Sequence, residues 1–296
     1  MKDTNNLPPT LDLADLILEF VADTDAAAAA KASGMPRGAI TGLAKLDQHF
    51  GGYFAPGVHV LQSAPGAGKT AFALQMASDC VYPALFISAE MGVLELFRRL
   101  VARQTQTFLG RLKSGEIHGQ QARHLAQTAV QKLSHLRIMD ATRAYASPEN
   151  IVNVARNLRE KFQTEHVLII LDSLHVWARS ACRMEKELME ADEYSLINNA
   201  LNSVALIASN LSCPVVAIAH RNRAGNKADG GLHAAKGSGS IEYEAESVLD
   251  LNKETDVDNA SGETEIRAKL QKNRNGAAGV SVKLGFNGAL QSFREL

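Results

Sequence analysis

The sequence of 296 residues contains only three cysteines, Cys80, Cys182 and Cys213, and they lie far apart in the chain. This spacing excludes a disulfide framework and a paired zinc site, and it is typical of a protein in a reducing cytosol. No apolar run approaches the roughly 18 residues of a membrane-spanning helix, and the chain begins Met-Lys-Asp without an apolar leader. We therefore expect a cytoplasmic protein that is neither exported nor inserted into a membrane.

The sequence has no excess of charge of either sign, because 31 Lys and Arg balance 32 Asp and Glu for a formal net charge of −1. A globally basic surface is thus excluded, and any contact with nucleic acid must come from a local basic lining. The hydrophobic fraction of 46% is enough to form a sizeable core, in one large α/β domain or two small ones.

An amphipathic helix is predicted near the N-terminus. The apolar residues that form its stripe are Leu13, Leu16, Ile17 and Phe20. The pattern stops before the five alanines of residues 26–30, and the segment from there to the main domain is interpreted as a linker. We therefore divide the chain into a helix and linker, residues 1–36, and a main domain, residues 37–296. A helix this short is marginal in water, so its apolar stripe needs a partner surface, either its own domain or a neighbouring subunit.

Apolar, β-rich runs alternate with helical segments from Gly57 onward, which is typical of a parallel sheet. The predicted parallel strands are Val58–Gln62, Ala84–Ser88, His166–Asp172 and Pro214–His220. Helices are predicted from Pro148, which Ser147 can cap, and over Glu193–Leu211. Short strands separated by turns follow at Glu246–Asn252, Thr264–Lys272, Val280–Phe286 and Leu290–Phe293. We expect an α/β fold with a mostly parallel central sheet, helices on both faces and antiparallel hairpins at the C-terminal end.

The segment SAPGAGKT lies between a predicted strand and a predicted helix, the order that a phosphate-binding P-loop requires. Its small central residues let backbone N–H groups approach the β- and γ-phosphates of ATP. Lys69 adds a positive charge, and the Thr70 hydroxyl can bind Mg²⁺. Ser63 stands where the strict pattern has glycine, so the assignment rests on the strand, loop and helix order. The residues predicted to bind ATP are Ser63, Ala64, Pro65, Gly66, Ala67, Gly68, Lys69 and Thr70.

Polar side chains follow three of the predicted strands, at the sheet edge where open α/β proteins bind ligands. Asp172 ends an apolar strand and, with a P-loop upstream, is predicted to be the second Mg²⁺ ligand. Glu90 is the predicted general base for the water that attacks the γ-phosphate. His220 is predicted to sense the γ-phosphate, with a buried structural histidine as the alternative.

Two further basic segments are candidates for function. Lys272 and Arg274 lie at a predicted strand end and turn, where solvated charges are common but where an arginine finger from a neighbouring protomer would also stand. The other segment combines one positive charge with several backbone N–H groups, so it is either an anion-binding loop or a flexible linker. Its residues are Lys236, Gly237, Ser238 and Gly239.

Together these motifs resemble the C-terminal ATPase domain of the replicative DnaB-type hexameric helicases, a branch of the RecA-like fold. The resemblance runs from about Arg37 to the C-terminus. It rests on seven segments in the same order, namely residues 41–47, 63–74, 88–91, 171–174, 214–223, 237–242 and 272–276.

The resemblance implies a RecA-like P-loop ATPase that forms a ring, a hexamer, and moves along single-stranded DNA in DNA replication with ATP and Mg²⁺ as cofactors. Glu90 would be the catalytic base and Asp172 the Walker B aspartate, and Lys272 and Arg274 would enter the next subunit's ATP site. The loop that begins at Lys236 would line the central channel and hold the DNA backbone. A primase, an initiator or a loader protein would be further partners.

The sequence departs from the family's pattern at His220, where glutamine is usual, and at Lys236 and Gly237, where arginine and glutamate are usual. The 36 residues ahead of the predicted main domain are too few for the family's N-terminal primase-contacting domain. Other classes therefore stay open on sequence grounds: a recombinase, a regulatory or scaffold ATPase without unwinding activity, and a non-enzymatic binding module.

Overall fold

A nine-stranded sheet forms the centre of the computed structural model, which describes residues 11–181, 192–221, 244–254 and 262–296. The chain divides into two compact units, Met1–Arg37 and Gly38–Leu296. The described helices are α1 Ile17–Ser33, α2 Ala44–His49, α3 Lys69–Asp79, α4 Val93–Thr105, α5 Leu109–Ser114, α6 Gly119–Lys132, α7 Pro148–Phe162, α8 Leu174–Ala181 and α9 Glu193–Leu211. The described strands are β1 Gly57–Ser63, β2 Ala84–Ser88, β3 Leu136–Asp140, β4 Leu168–Asp172, β5 Pro214–His220, β6 Ser247–Lys253, β7 Glu263–Asn273, β8 Ser281–Asn287 and β9 Ser292–Glu295.

The strands of the second unit follow the order β3-β2-β4-β5-β1-β6-β7-β8-β9. The strands from β3 to β6 in this order pair in parallel, and β6 to β9 pair antiparallel. In register, Ser63 pairs with His220, and Ser88 pairs with Asp172. The carboxyl ends of four parallel strands therefore meet at one edge of the sheet. The predicted mixed sheet with C-terminal hairpins is confirmed.

Helices cover both faces of the sheet because the parallel strands are apolar on both sides. In β1, Leu61 packs in the cluster that contains Phe72 of α3, whereas Val60 packs in the cluster that contains Trp177 of α8. Phe72 is 0% exposed and its ring meets that of Phe293 edge-on at 5.1 Å, which ties α3 to the last strand.

The first unit corrects the predicted early end of the N-terminal helix. Leu13–Leu16 form a 3₁₀ turn, and α1 then continues through the alanines to Ser33 instead of giving way to a linker. Alanine has the highest helix propensity, and Gly34 ends the helix at a φ of 71°, a conformation that favours glycine. None of the residues of α1 is buried. Neither α1 nor any other described helix is both long and apolar enough to cross a membrane.

The predicted strand bounds differ from the observed ones by at most two residues, and one strand was not predicted. Strand β3, at the edge of the sheet, was not predicted, because four of its five residues are only half-buried and its apolar run is short. Strand β4 begins at Leu168, two residues later than predicted. The backbone N–H of His166 donates to Thr164 Oγ1 at 3.2 Å, so it is not available for pairing with a neighbouring strand.

Truncation of Phe72 tests the packing of α3. We expect Phe72→Ala to lower the free energy of unfolding by about 3–5 kcal/mol, because it removes a fully buried ring and leaves a cavity. Phe108→Ala is the control, since its ring is 53% exposed and its loss is expected to cost less than about 1 kcal/mol. Urea unfolding followed by circular dichroism measures both, and equal losses would contradict the assigned packing.

Candidate nucleotide-binding site

The predicted P-loop connects β1 to α3 at the carboxyl edge of the sheet. Gly68 directly precedes α3 and has a φ of 85°, a region that favours glycine. A Cβ at Gly68 would also lie 2.9 Å from the ring of Phe293 and 3.0 Å from that of Phe286. The loop can therefore adopt this course only with glycine here, and the amino end of α3 faces the pocket above it, as anion binding requires.

Lys69 occupies the first turn of α3, and its Nζ donates to the carbonyl oxygen of Ser63 at 3.2 Å. Burial lowers the pKa of Lys69, while the negative charges of Asp172 and Glu90 act in the opposite direction. The ammonium group is therefore held over the loop with little solvation, where a phosphate would replace the weaker carbonyl partner.

A hydrogen bond joins Thr70 to Asp172, in which Thr70 Oγ1 donates to Asp172 Oδ2 at 2.8 Å. Asp172 is 3% exposed, and burial raises its pKa to about 6, while the Thr70 hydrogen bond lowers it and the charge of Glu90 raises it. A hydroxyl and one carboxylate suit Mg²⁺, which takes few protein oxygens and completes its shell with waters and phosphates. Among the described residues, no cluster of three or more His, Cys, Asp or Glu could hold a metal ion by itself.

Glu90 and His220 contact each other and line the same pocket as Asp172. His220 Nε2 lies 3.2 Å from Glu90 Oε2 and 3.1 Å from Ser173 Oγ, and Ser173 Oγ donates to Glu90 Oε2 at 3.0 Å. The side chains of Glu90 and His220 are 49% and 40% exposed, so both face the opening as well as each other. This arrangement can receive a proton on the carboxylate and present an N–H to an anion.

A pocket of ≈ 460 Å³ joins these groups, and five of the eight predicted loop residues line it. It is also lined by residues that the sequence analysis missed, namely Met91, Arg99, Phe286, Gly288 and Gln291. The ring of Phe286 stacks on that of Phe293 with centroids 4.3 Å apart, and Arg99 Nη1 donates to Gln291 Oε1 at 3.0 Å. They reach the pocket from α4 and the segment before it, from β8, and from the turn between β8 and β9.

Lys272 and Arg274 do not line this pocket. Arg274 Nη1 forms a 2.8 Å ion pair with Glu246 Oε1, and the Arg274 backbone N–H donates to the Glu246 carbonyl. Asn273 pairs with Ser247, the first residue of β6, so the turn lies at the amino edge of the parallel strands, opposite the P-loop. The predicted DNA-binding residues fall outside the described residues: Lys236, Gly237, Ser238 and Gly239.

The fold and this site define a P-loop nucleotide-binding protein with a RecA-like sheet. Residues 38–295 match the family model of the DnaB-like helicase C terminal domain. The chain belongs to this family, as the sequence resemblance predicted.

The similar proteins agree with this assignment. The replicative DNA helicase DnaB of Treponema pallidum (strain Nichols) is 30% identical over 278 residues, which cover 86% of this chain and 56% of that protein. The chain thus spans about half the length of the curated relatives it matches. The solved structure of an ATPase domain has a TM-score of 0.79 at 19% identity, covering 97% of this chain and 100% of that one. A DnaB-like replicative helicase studied for its interactions with primase has a TM-score of 0.77 at 19% identity, covering 97% and 68%. At these identities the two structures show the fold, which confirms the RecA-like prediction.

The raised pKa of Asp172 predicts a stability that depends on pH. Its pKa of about 6 exceeds the ordinary 3.8, so the folded protein binds this proton more tightly than the unfolded chain does. The buried carboxylate therefore lowers the free energy of unfolding as pH rises from about 4 to about 6. The loss reaches roughly 3 kcal/mol. We expect Asp172→Asn to raise the free energy of unfolding at pH 8 by about 1–3 kcal/mol and to have little effect near pH 4.

Urea unfolding of the nucleotide-free protein across this pH range measures the difference. Asp140→Asn is the control, because a hydrogen bond from Thr142 lowers the pKa of Asp140 and no gain at pH 8 is expected. An Asp172→Asn variant that is less stable than the wild type at pH 8 would contradict the assigned cost of burial.

Proposed function

We propose that this protein is an ATP-hydrolysing ring motor that moves along single-stranded DNA. The observation that carries the proposal is the convergence of Lys69, Thr70, Asp172, Glu90 and His220 on one pocket above the phosphate loop. These residues come from four different strand ends, and together they form the set that hydrolysis of a nucleoside triphosphate needs. Membership of the DnaB-like family supports DNA as the polymer on which the motor acts.

In the proposed reaction, the backbone N–H groups of the loop and the Lys69 ammonium hold the β- and γ-phosphates. Thr70 and Asp172 would hold Mg²⁺, which would supply positive charge near the phosphate oxygens when bound. Glu90 takes a proton from the attacking water while the water oxygen forms a bond to the γ-phosphorus. The bond between the γ-phosphorus and the bridging oxygen breaks, and this oxygen leaves with ADP. His220 lines the same pocket and is proposed to sense the γ-phosphate by moving its Nε2–H from Glu90 to the phosphate.

Lys272 and Arg274 act on the neighbouring subunit's ATP in this proposal. Their turn is at the amino edge of the sheet, whereas the P-loop of the same chain is at the carboxyl edge. Arg274 therefore completes a site only where two subunits meet head to tail, and contacts of this kind form a ring where the rotation between subunits closes. The turn is well supported for this task, since Asn273 Nδ2 donates to the His49 carbonyl at 2.8 Å.

The first unit supports assembly through its exposed apolar surface. Leu13, Ile17 and Phe20 are 85%, 59% and 71% exposed, an unusual state for apolar residues on one helical stripe. We propose that this stripe docks on a neighbouring subunit and that the ring is a hexamer.

The DNA contact is assigned to the segment that begins at Lys236. A lysine among small residues contacts the DNA backbone and not base edges, which suits a motor without sequence preference. A DnaB-like relative has been studied for its interactions with primase, and we propose a primase or a loader protein as a further partner.

The ATPase activity is tested first with Lys69→Ala and Glu90→Gln. Each is expected to lower kcat at least about 100-fold, because one removes phosphate stabilisation and the other the general base. Lys132→Ala, on the exposed face of α6, is the control and is expected to hydrolyse ATP like the wild type. Full activity in Lys69→Ala would refute the site.

The motor activity is tested by adding single-stranded DNA to the ATPase assay. Unwinding of a forked duplex is measured in parallel at the same salt concentration. We expect DNA to stimulate hydrolysis and Lys236→Ala to weaken that stimulation without changing the basal KM for ATP. A rate of ATP hydrolysis that DNA does not change, with no unwinding, would instead indicate a regulatory or scaffold ATPase.

The assignment of Arg274 to the neighbouring subunit is tested by mixing inactive variants. A ring of Glu90→Gln and Arg274→Ala protomers contains interfaces with one intact pocket and one intact arginine, about a quarter of the total at equal amounts. We therefore expect ATPase activity to recover toward about a quarter of the wild-type value. Glu90→Gln mixed with Lys69→Ala is the control, since both changes lie in the same pocket and no recovery is expected. Failure to recover at any ratio would contradict the proposal.

A further inference from the structure

We propose that Ser173 is a positioning residue that holds the Glu90 carboxylate in its reactive orientation. This inference rests on the proposed function, in which Glu90 is the general base. Ser173 stands between β4 and α8 and is 0% exposed. Its Oγ lies 3.0 Å from Glu90 Oε2 and 3.1 Å from His220 Nε2, so it contacts two side chains that line the pocket.

The hydrogen positions in this cluster follow from the chemistry of its members. An ionised carboxylate only accepts hydrogen bonds, so both the Ser173 hydroxyl and His220 Nε2 must direct a hydrogen toward Glu90 Oε2. The hydroxyl has one hydrogen and donates it to Glu90, so its oxygen is left to accept from His220. The Nε2–H of His220 is thus shared between the two oxygens.

Both donors therefore act on the same carboxylate oxygen, Oε2 of Glu90. Two hydrogen bonds on one oxygen remove the freedom of the carboxylate to rotate, which a side chain 49% exposed would otherwise have. The other oxygen, Oε1, is then the one presented to the attacking water. General-base catalysis depends on such alignment, because the proton is transferred only from a correctly placed water.

His175, two residues after Ser173, also contacts His220. The backbone N–H of His220 donates to His175 Nδ1 at 3.4 Å, and the two rings meet edge-on with centroids 5.4 Å apart. His175 is 3% exposed, so its ring is part of the packed interior of α8. Ser173 and His175 thus connect the base and the end of β5 to one rigid segment, and Ser173 is the member that contacts the base itself.

The experiment compares the steady-state hydrolysis of ATP by the full chain and its Ser173→Ala variant. We expect kcat to fall about tenfold or more while KM for ATP stays within about twofold, since an interaction that orients the base contributes to the transition state and not to binding. Ser180→Ala is the matched control. It removes a hydroxyl from α8 that donates to the Trp177 carbonyl and does not touch the site, so wild-type kinetics are expected.

A second pair of variants separates orientation from packing. Ser173→Thr and Ser173→Val have the same shape, and only threonine keeps the hydroxyl. We expect Ser173→Thr to retain more than about half of the wild-type kcat and Ser173→Val to lose activity as Ser173→Ala does, with equal melting temperatures for the pair. Equal kcat values in the pair would overturn the proposal even where Ser173→Ala fails to fold.

The possible failures are distinguishable. A wild-type protein without ATPase activity would refute the proposed function itself. A wild-type protein that hydrolyses ATP, with an inactive Glu90→Gln variant and a Ser173→Ala variant at wild-type kcat, would refute only the positioning role. A raised KM at unchanged kcat would also refute it, because Ser173 would then contribute to binding.

Discussion

Parallel pairing in register brings four strand ends to one edge of the sheet, and every part of the site depends on it. In the observed register, Ser63 lies beside His220, and Ser88 lies beside Asp172. A slip of one residue would turn each strand's side chains to the opposite face and bury the apolar ones in the wrong layer. The packing of two hydrophobic clusters, one on each face, therefore also fixes the geometry of the pocket.

Burial at this edge sets the electrostatics of the site. It lowers the pKa of Lys69 and raises that of Asp172 to about 6, so both groups carry their charge at a cost to the nucleotide-free fold. Phosphates and a divalent cation would supply the opposite charges that each group lacks. Without its ligand, such a site lowers the free energy of unfolding, which is the usual trade-off between stability and activity.

The antiparallel strands β7 to β9, here called the antiparallel extension, form one edge of the sheet and also contribute to the site. Gln75 in α3 accepts the Phe293 backbone N–H at 2.8 Å and donates to its carbonyl at 3.0 Å, while Phe286 and Phe293 pack against Gly68. The course of the phosphate loop thus depends on strands more than 200 residues later in the chain. The same extension includes β7, which leads to the turn of Arg274 at the far edge, so one continuous sheet connects the two surfaces.

Local patterns in the sequence were sufficient to determine the P-loop, the carboxylates at the strand ends and the alternation of strands and helices. Each of these depends on residues close together in the chain: glycines that allow a tight loop, apolar runs of strand length, and a cap such as Ser147. The half-buried edge strand β3, the full length of α1, and the pocket walls at Arg99 and Phe286 were not determined in this way. Only the tertiary structure decided them, and only it placed Ser173 against Glu90, because contacts between residues distant in sequence arise from how the helices and strands pack.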